Sequence, residues 1–391
     1  MSRLNVGSLF NENEDGAPVV SGISTFSSPY YFIPPSGSTA QRPQNPGEGM
    51  IRFNTDSSHL EYYTGTHWAD VIVNNNELGD QNLSNSAGGT GTRGVFAAGR
   101  VGPASTNVLD FVSVSTLGNT QDFGDLNNAV RRSAAASSST RGLFAGGLVD
   151  PADTDAIDFI TYSSTGNATD FGNLLAVART IAGLSNSTRG VFGGNESPTQ
   201  LNVIQYVTIA STGNAVDFGD TSRVGHQATT CSSSVRGLFA GVFGGSSPLG
   251  DSNIIDYITI STTGNAQDFG DLSATARTMG GASNSTRGIF AGGHTGGDTN
   301  VNTIEFVTIS TLGNTQDFGD LTQTTASPSG CPTSPTRALF AGGYAGPSSS
   351  KTDRINSIEI ATTGNAIDFG NLQNDCAFGS AGSCSNGHGG L

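Results

Sequence analysis

The chain has 391 residues, with 32 acidic and 17 basic side chains, a formal net charge of −15 and 55 glycines. Lys351 is the single lysine, so nucleic acid and anionic membrane, which both want a basic face, are not expected partners. No apolar run approaches membrane length, and the four cysteines (Cys231, Cys331, Cys376, Cys384) lack CxxC spacing and read as small core residues.

Residues 1–29 are polar, with Gly, Ser and Pro, and predict an extended arm. The opening Met1–Gly16 has no apolar core of a signal peptide, so the chain is expected to be made and folded in a cytoplasm. Residues 30–83 change style. Pro43, Pro46, Gly47 and Gly49 force a turn. Met50–Asn54, His59–Tyr63 and His67–Val71 then read as three strands of a small β-meander, followed by a linker at 74–83. It is too short to bury its own aromatics, so Ile51, Phe53, Tyr62, Tyr63 and Trp68 are expected to pack against copies of the chain or a partner. Arg42-Pro43, Asn45-Pro46, Gly49 to Thr55, Leu60 to Tyr63, Gly65 and Trp68 together resemble a short module of bacteriophage virion proteins, tail-fibre and baseplate-associated chains above all. That resemblance covers about 35 residues and implies a particle-anchoring, oligomeric role, with a trimer favoured. An isolated carbohydrate-binding hairpin is the alternative.

From residue 84 onwards one pattern recurs six times. Arg-Gly-aliphatic-Phe opens at Arg93, Arg141, Arg189, Arg236, Arg287 and Arg337, with Ala338 replacing Gly in the last. Asp-Phe-Gly closes each copy with its Asp at 122, 170, 217, 268, 317 and 368. The spacings between successive closing Phe residues are 48, 47, 51, 49 and 51, a period that marks a repeat architecture. Within one copy, Asn284–Gly288 is a polar turn and Ile289–Ala291 a short apolar strand stopped by Gly292-Gly293. Ile304–Thr311 is a β-branched and aromatic strand, Leu312-Gly313-Asn314 a tight turn, and Asp317-Phe318-Gly319 closes a fourth strand. No window shows helical spacing. The expected fold is all-β: a six-bladed propeller of four-stranded blades over residues 84–391, behind a small N-terminal β-meander.

The blade-start Arg, the double Gly and the aromatic of the third strand resemble the kelch repeat over residues 84–386. The double Gly reads at 146–147, 193–194, 292–293 and 342–343, and the blade-start Arg at 132, 179, 223 and 277. The family's fourth-strand Trp is absent, and the Asp-Phe-Gly Phe stands there instead. The tail Ala377–Gly387 is expected to pair into the first blade and close the ring; Leu83–Thr90 is the competing strand.

Asp-Phe-Gly does not signal a kinase, because no phosphate loop, strand Lys or catalytic-loop motif accompanies it. The six Asp equal the six turn Arg in number, which suggests a ring of Arg–Asp pairs. Catalysis is not expected: no Asp-box is present, the His residues form no ligand pair, and no cofactor or metal is predicted beyond Ca²⁺ as an option in the acidic loops. The loops after the double Gly vary in length and chemistry and are expected to share one face. Their candidate binding residues are Asp150, Asp153, Asp155, Asn195, Glu196, Asp251, His294, Asp298, Tyr344, Lys351 and Asp353. The reading is a virion structural protein, a tail fibre or tail-associated component, partnered by other virion proteins and binding a host surface glycan. A decoration protein without receptor binding and a propeller glycan hydrolase are its alternatives.

Overall fold

The computed structural model describes residues 34–57, 59–70 and 92–387, the last stretch apart from 102, 115, 197–198, 245–249, 297, 332–333, 347–349 and 378–381. The expected arm at 1–29, the linker at 74–83 and the competing strand Leu83–Thr90 lie outside the described residues. The chain divides into two compact units, Met1–Glu77 and Leu78–Leu391. Both are built from strands; the described residues contain one 3-10 turn, Thr39–Gln41, and no helix long and apolar enough to cross a membrane.

The N-terminal unit is a four-stranded sheet. Ile51–Asn54, His59–Tyr63 and Trp68–Asp70 form the expected antiparallel meander, and Ser36–Gly37 adds a parallel edge strand. Strand alternation puts Arg52, Asn54 and Glu61 on the buried face and Ile51, Phe53 and Tyr62 on the exposed one. The buried face is therefore ionic. Glu61 is fully buried, accepts from Arg42 Nε and Nη2 (3.2 and 2.5 Å) and from Asn54 Nδ2 (3.1 Å), and lies 3.6 Å from Arg52. The Arg42 hydrogen bond leads the effects that hold its carboxyl below the usual range, against the opposing pull of burial.

The described residues of Leu78–Leu391 form six antiparallel four-stranded meanders. The second comprises Ala134–Ser137, Arg141–Ala145, Ala156–Thr161 and Thr169–Asn173, paired in that order. The third to sixth start at Ala182, Thr229, Gly280 and Ser329. The first takes its opening strand from the far end of the chain. Ser383–Ser385 pairs with Arg93–Val101, which continues into Ala104–Ser113 and Gln121–Val130. The tail thus closes the first meander, as expected from its likeness to an opening strand. The opening strands lie side by side in sequence order and return to the first. They are small-residue segments, because a Cβ on Gly183 would collide with Ala135 O and one on Gly281 with Thr230 O. Serines stitch them: Ser232 Oγ donates to Ser185 O and Ser283 Oγ to Ser232 O (both 2.8 Å), and Ser137 Oγ donates to Ser385 O (3.0 Å).

Each closing Phe (123, 171, 218, 269, 318, 369) is buried in a cluster that mixes two successive meanders. In five copies it meets the third-strand aromatic edge-on at 5.8–6.2 Å. The expected tight turn at Gly-Asn is instead a reach toward the preceding meander. Gly166 N donates to Phe123 O (2.7 Å), Asn167 Oδ1 accepts Asp125 N (3.1 Å), and Ala168 N donates to Asp125 O (2.7 Å). The same Gly and Asn contacts recur at all six junctions, the sixth joining Gly118 and Asn119 to Phe369 and Asn371. They cover the outer edge that each closing strand would otherwise expose. The glycine of Asp-Phe-Gly has no substitute there: at Gly172 φ is +148°, and a Cβ would lie 2.5 Å from Gly213 O.

The expected Arg–Asp ring is not formed. The six turn arginines clamp the next meander's backbone instead. Arg93, Arg141, Arg189, Arg236, Arg287 and Arg337 donate to the carbonyls of Tyr162, Ile209, Ile260, Ile309, Ile360 and Val114 at 2.8–3.1 Å. The first five guanidinium groups also sit 4.4–4.9 Å over their own third-strand aromatic. The sixth copy has Ser357 at that place, and Arg337 pairs with Glu359 (3.1 Å). Asp122, Asp170, Asp217, Asp268, Asp317 and Asp368 are all exposed. The buried acceptors are their partners across the ladder: Asp110, Asp158, Gln205, Asp256, Glu305 and Asn356. Each accepts from the preceding meander, as when Ser222 N and Oγ reach Asp256 at 2.8 and 2.7 Å.

Candidate functional site

The variable loops emerge at the end of the meanders opposite the Gly-Asn contacts, and there they are held. Each loop pairs at its start with the strand that leaves the preceding meander. Phe243 stands opposite His226, His294 opposite Arg277, Tyr344 opposite Ala326, Leu148 opposite Arg131, and Arg100 opposite Ala377; Glu196 N donates to Arg179 O (3.2 Å). The double glycine follows from this squeeze. A Cβ on Gly147 would meet Arg131 O at 2.7 Å, and one on Gly146 would meet Ala178 O at 2.7 Å. In the third copy the pair is displaced by one, since Gly193 occupies the place of Ala145 and Ala240.

Most of the loop charges found from the sequence are engaged with arginines of the exit strands. Asp150 pairs with Arg131 (2.6 Å), Asp153 with Arg179 (3.6 Å), and Asp251 and Asp298 share Arg277, the former at 2.5 Å. Glu196 accepts from Arg132 (3.1 Å), Arg179 (3.3 Å) and Thr180 Oγ1 (2.6 Å). Burial pushes its carboxyl upward, yet the Thr180 hydroxyl and the two arginines outweigh burial and hold it low. Asn195 is buried and accepts Arg179 N (3.1 Å), a structural role. Asp155, Tyr344, Lys351 and Asp353 are half-buried, and His294 Nδ1 lies 2.9 Å from Thr278 Oγ1. The structure brings Asp153 and Glu196 together around Arg179, and Asp251, His294 and Asp298 around Arg277. Asp150 sits apart at the first junction, and Tyr344, Lys351 and Asp353 belong to the sixth copy.

Sequence reading missed His226 and Phe243. His226 is buried with Nδ1 unpartnered, and burial leads the effects that lower its pKa. It meets Phe243 edge-on at 5.4 Å, and Arg277 lies 4.6 Å from the same ring. A signal for Phe243 existed. Seven residues after each turn arginine stand Arg100, Leu148, Glu196, Phe243, His294 and Tyr344, six different side chains in otherwise repeating copies. In the backbone ladder the partners of Leu148 and Phe243 are Arg131 and His226, while Arg132 and Arg223 reach the loops through their side chains, Arg132 to Glu196 (3.1 Å) and Arg223 to Gly244 O (2.7 Å).

Just inside this ring, Arg132, Thr180, Gln227, Thr278 and Ser327 have φ between +52° and +62°. Each N–H after the first donates to the carbonyl of the previous one, at 2.9–3.3 Å. The five therefore form a continuous arc at the loop end.

Between the opening strands lies a cavity of about 60 Å³ lined by Ala, Gly, Ser, Thr, Cys and Leu, with no carboxylate. Cys231 and Cys384 are buried there, and burial raises both thiols, Cys384 to about 12. Among the described residues no three His, Cys, Asp or Glu side chains gather to hold a metal ion.

In the N-terminal unit the five expected anchoring residues divide between the two faces. Ile51, Phe53 and Tyr62 are exposed, with Ile51 directly across from Tyr62. Tyr63 and Trp68 are half-buried with ring centroids 5.5 Å apart, and Arg42 and Arg52 lie 5.8 and 6.0 Å from the Trp68 ring. Comparison with known families finds no family model that matches the chain, and comparison with curated proteins finds no match.

Proposed function

We propose that the six meanders are the blades of a kelch-like propeller and that the chain is a bacteriophage virion structural protein of tail-fibre or tail-associated type. Its N-terminal sheet anchors and oligomerises it, with a trimer favoured. Its loop end binds a host surface glycan or a neighbouring virion protein. The observation that carries the head-and-anchor division is the contrast between the units. The repeat unit buries apolar clusters between successive meanders and pairs its last strand with its first meander, whereas the buried face of the N-terminal sheet is ionic and its other face exposes Ile51, Phe53 and Tyr62 together. A sheet with that inversion is completed by another apolar surface. The resemblance of residues 30–73 to phage virion modules supplies the setting. A hydrolase reading draws no support from the axial cavity, whose lining has no acid–base pair.

Light scattering on residues 1–391 and on a chain beginning at Ser84 tests the division. The expected result is an oligomer for the whole chain and a folded monomer for the shorter one. Two monomers would remove the anchor. Retention of the whole chain on a panel of bacterial cells tests the surface reading, and absence of retention on every strain favours a decoration protein.

A further inference from the structure

We infer that the loop end of the third to fifth copies is a binding site for a neutral saccharide, centred on Glu196, Phe243 and His294. This rests on the surface-binding function proposed above and names its ligand and residues.

Three observations meet here. First, the position seven residues after the turn arginine carries Arg, Leu, Glu, Phe, His and Tyr in the six copies. Its backbone partner is kept throughout, so packing alone does not demand six different chemistries. Second, backbone strain is concentrated beside it. Glycine holds 26 positive-φ positions among the described residues and other residues hold six, five of them in the arc beside this ring. Two of the five are threonines, β-branched residues for which the left-handed region is least favourable. Glycine would relieve that strain, and the side chains retained there hold the ring: Thr180 Oγ1 donates to Glu196, and Thr278 Oγ1 meets His294 Nδ1. Strain kept in place by its surroundings is a mark of functional positions. Third, the polar groups are preset, and three arginines are offset by four carboxylates. Arg132, Arg179 and Arg277 face Asp153, Glu196, Asp251 and Asp298.

That offset decides the ligand class. With each arginine already opposed by carboxylate, no net positive potential remains to attract an anionic sugar. Fixed carboxylates and guanidinium groups instead offer oriented acceptors and donors to hydroxyls. The half-buried Phe243 offers an apolar surface of the kind that covers sugar C–H faces. Thr180 and Thr278 are positioning residues.

The test is calorimetric titration of the whole chain with neutral and with uronic-acid-bearing oligosaccharides, beside the Phe243→Ala, Thr278→Gly and Asp217→Asn variants. Neutral oligosaccharides should bind, and Phe243→Ala should weaken them about tenfold, the loss of one good contact. Thr278→Gly should weaken binding to a similar degree while leaving the melting temperature equal or higher, a combination that a purely structural threonine would not give. Asp217→Asn, at the opposite end, should change nothing. Binding of acidic sugars alone, or wild-type affinity in both loop-end variants, overturns the inference. Cell retention separates the two levels. If the wild type and the loop-end variants are retained equally, the site is wrong and the surface-binding function stands. If the wild type neither binds sugar nor is retained, the function falls and the site with it.

Discussion

The two ends of each meander are built under different rules. At the end that carries the Gly-Asn reach, six junctions use the same contacts: Gly N–H to Phe carbonyl, Asn side chain to backbone N–H, and turn arginine to the next meander's carbonyl. At the loop end the backbone pairing recurs, but the side chains do not. The third junction uses a His–Phe contact, the fourth an Arg shared by two Asp, and the fifth Asn300 donating to Tyr344 O and Gly346 O. The first end holds successive meanders together; the second is free to differ because the first does not. A substitution should therefore be judged first by which end it touches.

The largest expected effect removes the closure on which both ends depend. Deleting residues 378–391 takes away Ser383–Ser385, leaves the inner edge of Arg93–Val101 unpaired and uncovers Ala134 and Ala135. Urea unfolding should lose its single sharp transition, and a truncated chain with wild-type cooperativity would show that the ring does not need its last strand. Next is Gly270→Ala. The added Cβ would strike Gly313 O from a residue at φ +151°. Strain and overpacking together should cost about 3 kcal/mol. Gly250→Ala, with open space around it, is the matched control.

The arginine clamp sharpens the comparison within one end. Arg287→Ala removes a hydrogen bond to Ile360 O and a cation lying 4.6 Å from the Phe306 ring. The orphaned carbonyl and lost ring contact should cost about 2 kcal/mol. Arg337→Ala removes the same carbonyl contact and an exposed Glu359 pair, with Ser357 where the other copies have the aromatic, so about 1 kcal/mol is expected. Equal losses in chemical denaturation would mean that the aromatic adds nothing.

These contrasts also show what was legible in advance. The period, the all-β character, the short strands and the closing tail were readable because each is a local pattern repeated six times. The Arg–Asp pairing was misread because equal numbers say nothing of reach. Asp122 and its equivalents alternate to the exposed side of the outer strand, while the arginine finds a backbone carbonyl in the next meander. Partners of that kind lie roughly seventy positions away in sequence (Arg141 and Ile209, for example) and leave no side-chain signature. The loop end was half legible. Glu196, Asp251 and His294 stood out as polar loop residues, but His226 lies in an exit strand and Phe243 reads as core. Only aligning the six copies by their arginines separates Phe243 from the apolar background. In the N-terminal unit the strands followed from their alternation. That Glu61 and Arg52 face inward did not, because a charge normally marks the solvent side.

A buried position at the conserving end gives a pH-dependent test. Asp110, Asp158 and Asp256 are raised above the usual aspartate pKa, first by burial, and the same position is filled by Gln205 and Asn356 in two other copies. Asn356 Oδ1 accepts Thr322 N and Oγ1 much as Asp256 accepts both groups of Ser222. Charge is thus dispensable there. A carboxyl with a raised folded pKa binds its proton more tightly in the native state. Its contribution is complete below the unfolded value of 3.8 and is lost as pH rises through the folded pKa. Asp256→Asn should therefore be equal to or about 1 kcal/mol more stable than wild type at pH 7, and the advantage should disappear as pH falls toward 4. His226 and His294 act with the opposite sign. Burial lowers both, so the wild type and the variant alike should lose stability as pH drops below 6.5. An advantage that grows on acidification would contradict the assignment of a buried charge.

The smallest effect is expected at the end where the copies differ. Tyr344 is half-buried, its backbone keeps the ladder with Ala326 and Lys351, and its carbonyl accepts Asn300 Nδ2. None of these contacts needs the phenol ring. Tyr344→Ala should therefore cost under about 1 kcal/mol in urea unfolding, in the range of a substitution that breaks no buried contact. The equivalent Leu148 is buried at 7% exposure, and Leu148→Ala should cost about 2 kcal/mol by ordinary cavity formation. A Tyr344 loss as large as that of Leu148 would mean that the ring position is a packing position in every copy. The diversity of side chains along it would then reflect six local cores, and the separation between a holding end and a differing end would not stand.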